Sequence, residues 1–206
     1  MNPALEKRGV NPSLKGGMKI AAIIPAAGQG KRFKAGKLKL LVLVAGKPLL
    51  IQTLQNLKSS CRFQEMVLAA PVGQTENFKK LLRSYRLGEV QVVTGGRTRA
   101  ESVKKGFDRV SDQCDWVLVH DAARPLVSRE MVQRLIHGAK KTGAAIVGIP
   151  VSSTVKKTDQ RTGQIVGTQD RGTLVLAQTP QVFKKDQLAE RYKTLGEKAF
   201  LATDEA

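Results

Sequence analysis

Acidic residues, aromatics, cysteine and histidine are all scarce in this 206-residue chain, and each shortage closes off a class of protein. Aromatics make up 4% of the sequence, as one Trp, two Tyr and six Phe. A core must therefore be built mainly from Val, Ile, Leu and Ala, the composition of parallel α/β sheets. The two cysteines, Cys61 and Cys114, lie far apart, and His120 and His137 are the only histidines. So few thiols and imidazoles support neither a disulfide framework nor a zinc cluster. No apolar run approaches the roughly 18 residues of a membrane span. The first 17 residues also lack the apolar segment of a secretory signal. The expected location is the cytoplasm, with no membrane partner. Internal repeats and low-complexity tracts are missing too.

What the chain has in excess is positive charge. Lys and Arg number 35 against 17 Asp and Glu, a formal net charge of +18, which favours polyanionic ligands such as nucleotides, nucleic acid or acidic surfaces. The 41% hydrophobic content is enough for one buried core. Residues 1–17 read as a flexible extension that precedes the fold, and 18–206 as the folded domain.

From Lys19 onward short apolar, β-rich runs alternate with helical patterns, the signature of repeated βαβ units. Strands are expected at Lys19–Pro25, Met66–Ala70, Val90–Val93, Trp116–His120 and Ala144–Pro150. Helices are expected at Pro48–Leu57, at Thr75–Tyr85 with a Thr cap, at Arg99–Val110, and at Ser128–Lys141 with a Ser cap. Residues 152–171 are polar and β-branched around Arg161-Thr162-Gly163 and read as a hairpin leaving the body. Leu174–Ala177 returns to the sheet, Gln178-Thr179-Pro180-Gln181 forms a loop, and Lys185–Leu195 is helical. The fold class is α/β, a Rossmann-like, mostly parallel sheet with helices on both faces and a protruding β-arm.

In such sheets ligands bind beyond the carboxyl ends of the strands, where loops and helix N-termini present unpaired N–H groups. Three strand ends carry unusual residues. The first, Pro25-Ala26-Ala27-Gly28-Gln29-Gly30-Lys31-Arg32, uses small side chains that let backbone amides approach phosphates. It completes neither a P-loop nor a dinucleotide fingerprint. Lys31, Arg32, Lys34, Lys37 and Lys39 follow with no acid among them, a pattern that fits a triphosphate clamp or a turn with a solvated basic flank. The second, Val119-His120-Asp121-Ala122-Ala123-Arg124-Pro125, places an acid at the sheet mouth. Asp121 is there as a magnesium ligand, or else is paired with Arg124 or caps a local turn, and His120 faces the other side of the strand. The third, Thr94-Gly95-Gly96-Arg97-Thr98-Arg99-Ala100-Glu101-Ser102-Val103, brings amides and a hydroxyl close to a base or ribose, or makes a capped loop.

Together PAAGQGKRF, Lys39 seven residues before Gly46-Lys47-Pro48, GGRTRAESV, VHDAARP, DRGTLVLAQTPQ and the terminal TDEA resemble the 2-C-methyl-D-erythritol 4-phosphate cytidylyltransferase family, collinearly over about residues 18–206. The resemblance implies a cytoplasmic transferase of non-mevalonate isoprenoid precursor biosynthesis, a homodimer that uses CTP and magnesium. It implies transition-state stabilisation by Arg32 and Lys39. CTP would be held by Pro25, Ala26, Ala27, Gly28, Gly30, Gly95, Gly96 and Ser102, and the metal by Asp121. Arg124 and Thr179 would line the alditol phosphate site, with Thr154 and Arg171 contributed on an arm that reaches across the dimer. Two departures stand out. Leu38 and Leu40 flank Lys39 where the family has a more polar, proline-containing pattern, and the family's strand beyond TDEA, with its lysine, is not in this sequence. Ribitol 5-phosphate cytidylyltransferases share most of these motifs and form the near alternative. A basic nucleic-acid module is the alternative of another class, disfavoured by the shortage of base-stacking aromatics and the dispersal of the cations.

Overall fold

The computed structural model describes residues 18–28, 38–201 and 204–205. The extension expected at 1–17 lies outside them, as do Gly30, Lys31, Arg32, Lys34 and Lys37. Ten strands and five α-helices are formed by the described residues: β1 (Ile20–Pro25), β2 (Leu43–Val44), β3 (Lys47–Pro48), α1 (Leu49–Ser60), β4 (Glu65–Ala70), α2 (Thr75–Ser84), β5 (Gln91–Thr94), α3 (Arg99–Phe107), β6 (Trp116–Val119), α4 (Arg129–Thr142), β7 (Ala144–Pro150), β8 (Val155–Thr158), β9 (Ile165–Gln169), β10 (Val175–Lys184) and α5 (Lys185–Leu195).

The main sheet has the order β5-β4-β1-β6-β10-β7. β1 pairs in parallel with β4 and β6, β4 with β5, and only β10 runs against its neighbours β6 and β7. β1 sits centrally because Ala21, Ala22, Ile23 and Ile24 are all fully buried, and a strand covered on both faces needs a continuous apolar run. Alternation then divides the core. Ala22 and Ile24 pack with Leu50, Leu54, Phe78, Leu82 and Val132 from α1, α2 and α4. Ala21 and Ile23 face Val103, Phe107 and Leu188 from α3 and α5. Gly106 lets α3 come down onto β1, since a Cβ there would lie 2.6 Å from Ile23 Cγ2.

The caps follow side-chain chemistry. Ser128 accepts from the Met131 amide to start α4, worth about 1 kcal/mol, and Gly143, at φ 85°, ends it in the left-handed conformation that glycine adopts freely. The cap expected at Thr75 is not made. Gln74 occupies that position, and the Thr75 hydroxyl instead meets that of Thr94, 3.2 Å away on β5.

The hairpin expected between 152 and 171 is the β8–β9 ribbon, a separate two-stranded sheet. The loop expected at Gln178–Gln181 is corrected. β10 continues through it, with a register shift between Gln178 and Gln181 and a cis peptide at Thr179-Pro180. The turn chemistry of this segment is absorbed as an irregularity inside a strand, because both neighbours, β6 and β7, remain available to pair with it. Since β7 runs parallel to β6, its end at Pro150 lies on the same side as the carboxyl ends of β1 and β6, and the β-arm leaves from that side. Ile149, Ile165, Val166, Val175 and Leu176, on the arm and the strand ends beside it, are exposed.

Candidate active site

The chain moves from β1 outward through β4 and β5, then crosses back to β6 on the other flank of β1. The divergence of loops at this switch point opens a crevice beyond the carboxyl ends of β1 and β6. Residues 26–28 follow β1 and Asp121 follows β6, so both reach that crevice.

On the β1 side the turn is anchored by the Ala26 amide, which donates to Ala69 O at 2.9 Å. Ala26 is buried, Pro25 and Ala27 are half-buried and Gly28 is exposed. A Cβ at Gly28 would meet no described residue within 4 Å. Gly95 is different. Its amide donates to Ala70 O at 2.7 Å, and a Cβ would stand 3.0 Å from Ala70 O and 3.1 Å from Ser102 Oγ while overlapping Ala27 Cβ. The loops after β1 and β5 therefore meet at Gly95, against the last residue of β4.

The buried Ser102 hydroxyl accepts from the Gly96 amide at 3.0 Å and donates to Thr98 O at 2.8 Å. Thr98 caps α3 by accepting from the Glu101 amide at 3.0 Å, and Glu101 Oε2 accepts from the Arg97 amide at 2.8 Å. Lys105, from the second turn of α3, donates to Gly95 O at 3.0 Å. Ser102 thus shapes the Gly95–Gly96 turn from behind.

On the β6 side Asp121 is bound at every polar atom. Its amide donates to Thr179 Oγ1 at 3.1 Å, Oδ1 accepts from Arg99 Nε at 3.0 Å, and Oδ2 accepts from Arg124 Nε at 2.9 Å. Burial alone would push the carboxyl up, but the two guanidiniums prevail and hold it below the usual carboxylate range. It is ionised at neutral pH. Arg124 Nη1 also donates to Gln178 Oε1. His120 is buried behind the strand, as expected, with Nε2 2.9 Å from Arg124 O. That contact fixes the proton on Nε2, because a carbonyl can only accept. Burial holds the imidazole below its ordinary pKa, so it stays neutral.

Asp121, Arg124 and Thr179 are thus brought together. Thr154 and Arg171 are not part of that group. Both are exposed at the base of the arm, where Arg171 Nη1 donates to Ser152 O at 2.7 Å and ties its two ends. Lys39 begins a short 3-10 turn, Lys39–Leu41, is exposed, and forms no ion pair with another described residue. Arg32 and Gly30 lie outside the described residues.

Sequence reasoning assigned no role to three neighbours of this group: Arg99, Gln178 and Glu205. Arg99 Nη1 donates to both Glu205 oxygens, at 2.9 and 2.7 Å. The signal was present. Arg99 is the first residue of α3, where the helix dipole disfavours a cation, so it needs acidic partners.

A magnesium ion supplied with a nucleotide fits this donor set in one way only. Among the described residues no three His, Cys, Asp or Glu side chains group into a metal cage. Magnesium, however, commonly uses one or two protein carboxylates and takes its other ligands from phosphates and water. Asp121 retains two free lone-pair positions after its two guanidinium contacts.

Comparison with known proteins identifies the family. The family model for 2-C-methyl-D-erythritol 4-phosphate cytidylyltransferase matches residues 20–206. The protein of that name from Bacillus licheniformis is 40% identical over 190 residues, 92% of this chain and 81% of that protein. The one from Bacillus velezensis is 38% identical over the same coverage. Among solved structures, the 4-diphosphocytidyl-2C-methyl-D-erythritol synthase of Anaerococcus prevotii superposes with a TM-score of 0.77 at 29% identity, covering 91% of this chain and 81% of that one. The cytidylyltransferase of Thermus thermophilus gives 0.70 at 32% identity over the same shares. This chain belongs to the 2-C-methyl-D-erythritol 4-phosphate cytidylyltransferase family.

Proposed function

We propose that this chain transfers CMP from CTP to 2-C-methyl-D-erythritol 4-phosphate, releasing pyrophosphate, as a step of isoprenoid precursor biosynthesis. The observation that carries the reading is the ionised Asp121, set between Arg99 and Arg124 at the switch point, opposite the small-residue turn 25–28. Family membership supplies the identity of the two substrates. The ribitol phosphate and nucleic-acid alternatives are not favoured by these likenesses.

The chemistry is one displacement. A phosphate oxygen of the alditol phosphate forms a bond to the α-phosphorus of CTP as the bond to the bridging pyrophosphate oxygen breaks. Negative charge accumulates on the equatorial and leaving oxygens. No side chain need become covalently attached. The small-residue segments at Ala27–Gly28 and Gly95–Gly96 receive the nucleotide, the second through its bare glycine surface because its amides are already given to Ala70 O and Ser102 Oγ, and family likeness assigns Gly30 to the same nucleotide. Ser102 keeps the second turn in shape. Arg32 and Lys39 stabilise the charge that develops, each contributing about 3 to 4 kcal/mol by analogy with oxyanion-hole donors. Asp121 would be the protein ligand of magnesium, which when bound neutralises phosphate charge. Arg124 and Thr179 orient the alditol phosphate beside Asp121. Most of the remaining acceleration comes from aligning two mutually repulsive anions.

Thr154 and Arg171 would act across a homodimer. The arm leaves from the site's side of the sheet, and the exposed apolar residues Ile165, Val166, Val175 and Leu176 give a second copy a surface to cover. No helix among the described residues is long and apolar enough to cross a membrane, and the reading places the protein in the cytoplasm. Pyrophosphate release measured with each of the four nucleoside triphosphates, against both candidate alditol phosphates, tests the assignment.

A further inference from the structure

Glu205 and Asp121 are 84 positions apart in sequence and touch the same guanidinium. Arg99 gives Nη1 to Glu205 and Nε to Asp121, so one planar group is held from two directions. The Glu205 side chain is 3% exposed, whereas those of Arg99 and Asp121 are each 27% exposed. The Glu205 end of these contacts is thus buried, and the Asp121 end opens on the crevice. Taking a carboxylate out of water is costly unless a well-aligned partner compensates it. Arg99 supplies that partner and directs its remaining edge at Asp121. Arg99 and Arg124 each hold one Asp121 oxygen, and of the two arginine side chains that of Arg99 is the less exposed, at 27% against 43%.

We propose that Arg99, anchored by Glu205, is a positioning residue for the transfer reaction. It sets the orientation of the Asp121 carboxylate and makes no contribution except through it. The inference rests on the reading above and adds two residues to it. A staple that merely fastened the segment around Glu205 would need only the Nη1–Glu205 contact. The Nε contact carries the constraint on to the crevice.

The test compares kcat, KM for CTP, calorimetric CTP affinity and thermal unfolding in the full chain and its variants. Arg99→Lys keeps the charge but gives up the fork that spans two acids. Glu205→Gln keeps the shape and removes the anchoring charge. Each should lower kcat about 10-fold or more, leaving CTP affinity and KM within about 3-fold and cooperative unfolding intact. In the Asp121→Asn background the same changes should add less than about 3-fold, because residues acting through one group are not additive. Losses that multiply in full, or an unchanged kcat in either folded single variant, would overturn the positioning role. So would loss of cooperative unfolding in both, which would assign the pair to folding alone. A wild-type chain that turns over while the losses multiply overturns this inference only. A wild-type chain without turnover overturns the functional reading as well.

Discussion

Gly95 and Ala27 belong to loops that follow different strands, and they approach so closely that a Cβ on the glycine would overlap the alanine Cβ. The other two atoms lining that space are fixed as well. Ala70 O belongs to the sheet, and Ser102 Oγ is engaged with Gly96 and Thr98.

Gly95→Ala must therefore move backbone. We predict a loss of about 1 to 3 kcal/mol in stability, typical of overpacking, together with a rise of about 10-fold or more in the KM for CTP. Urea unfolding and steady-state kinetics check the two parts separately. An alanine variant with unaltered KM would show that the junction of these loops does not shape the nucleotide site.

Lys39 is exposed on its 3-10 turn, so truncating it should leave the fold intact. Lys39→Ala should lower kcat by about 100-fold or more if the ammonium stabilises charge that appears only in the transition state. Unchanged turnover with normal thermal unfolding would remove Lys39 from the mechanism.

Burial and the nearby Glu65 carboxylate push the Cys114 thiol up to about 11. Its Sγ donates to Glu65 Oε1 at 3.1 Å, and the same oxygen accepts from the Ser111 amide at 2.7 Å. An unfolded thiol ionises near 8.5, so the folded state holds its proton longer than the unfolded state. The stability this confers is complete below about pH 8.5 and is lost as pH rises towards 11. Urea midpoints measured from pH 7.5 to 10.5 should fall more steeply for the wild type than for Cys114→Ala. Equal slopes would contradict the shift.

In the homodimer proposed above, the exposed Ile165 and Val166 on β9 would be the surface on which a partner arm rests. Replacing both with Glu should leave the monomer folded, since neither side chain enters the core. Sedimentation velocity should then report a monomer, and turnover should drop about 10-fold or more as Thr154 and Arg171 are withdrawn from the partner's site. A double variant that stays dimeric and active would remove the arm from the assembly.

The sheet was legible because its signals are local. Short continuous apolar runs such as Ile20–Ile24, bounded by Pro25 and the glycines beyond it, read as buried strands, and Ser128 announces its helix by chemistry. The misread places are those where distant partners decide. Gln178–Gln181 carries turn residues, yet β6 and β7 claim it as strand. Thr75 has the chemistry of a cap but meets Thr94 instead. In the site, Asp121 and Arg124 share one short loop and could be paired by sight. The link from Asp121 through Arg99 to Glu205 could not, because nothing in the local sequence brings residue 205 to the start of α3. The first-position arginine of α3 was the only local sign that an acid had to come from elsewhere.

The central claim, that the crevice between β1 and β6 joins CTP to a methylerythritol phosphate, is tested most directly by pyrophosphate release with the purified chain and magnesium. The account predicts release that requires CTP and 2-C-methyl-D-erythritol 4-phosphate together, with the other three triphosphates and ribitol 5-phosphate giving much slower turnover. Equal or faster release with ribitol 5-phosphate, or none with any pair, would contradict it.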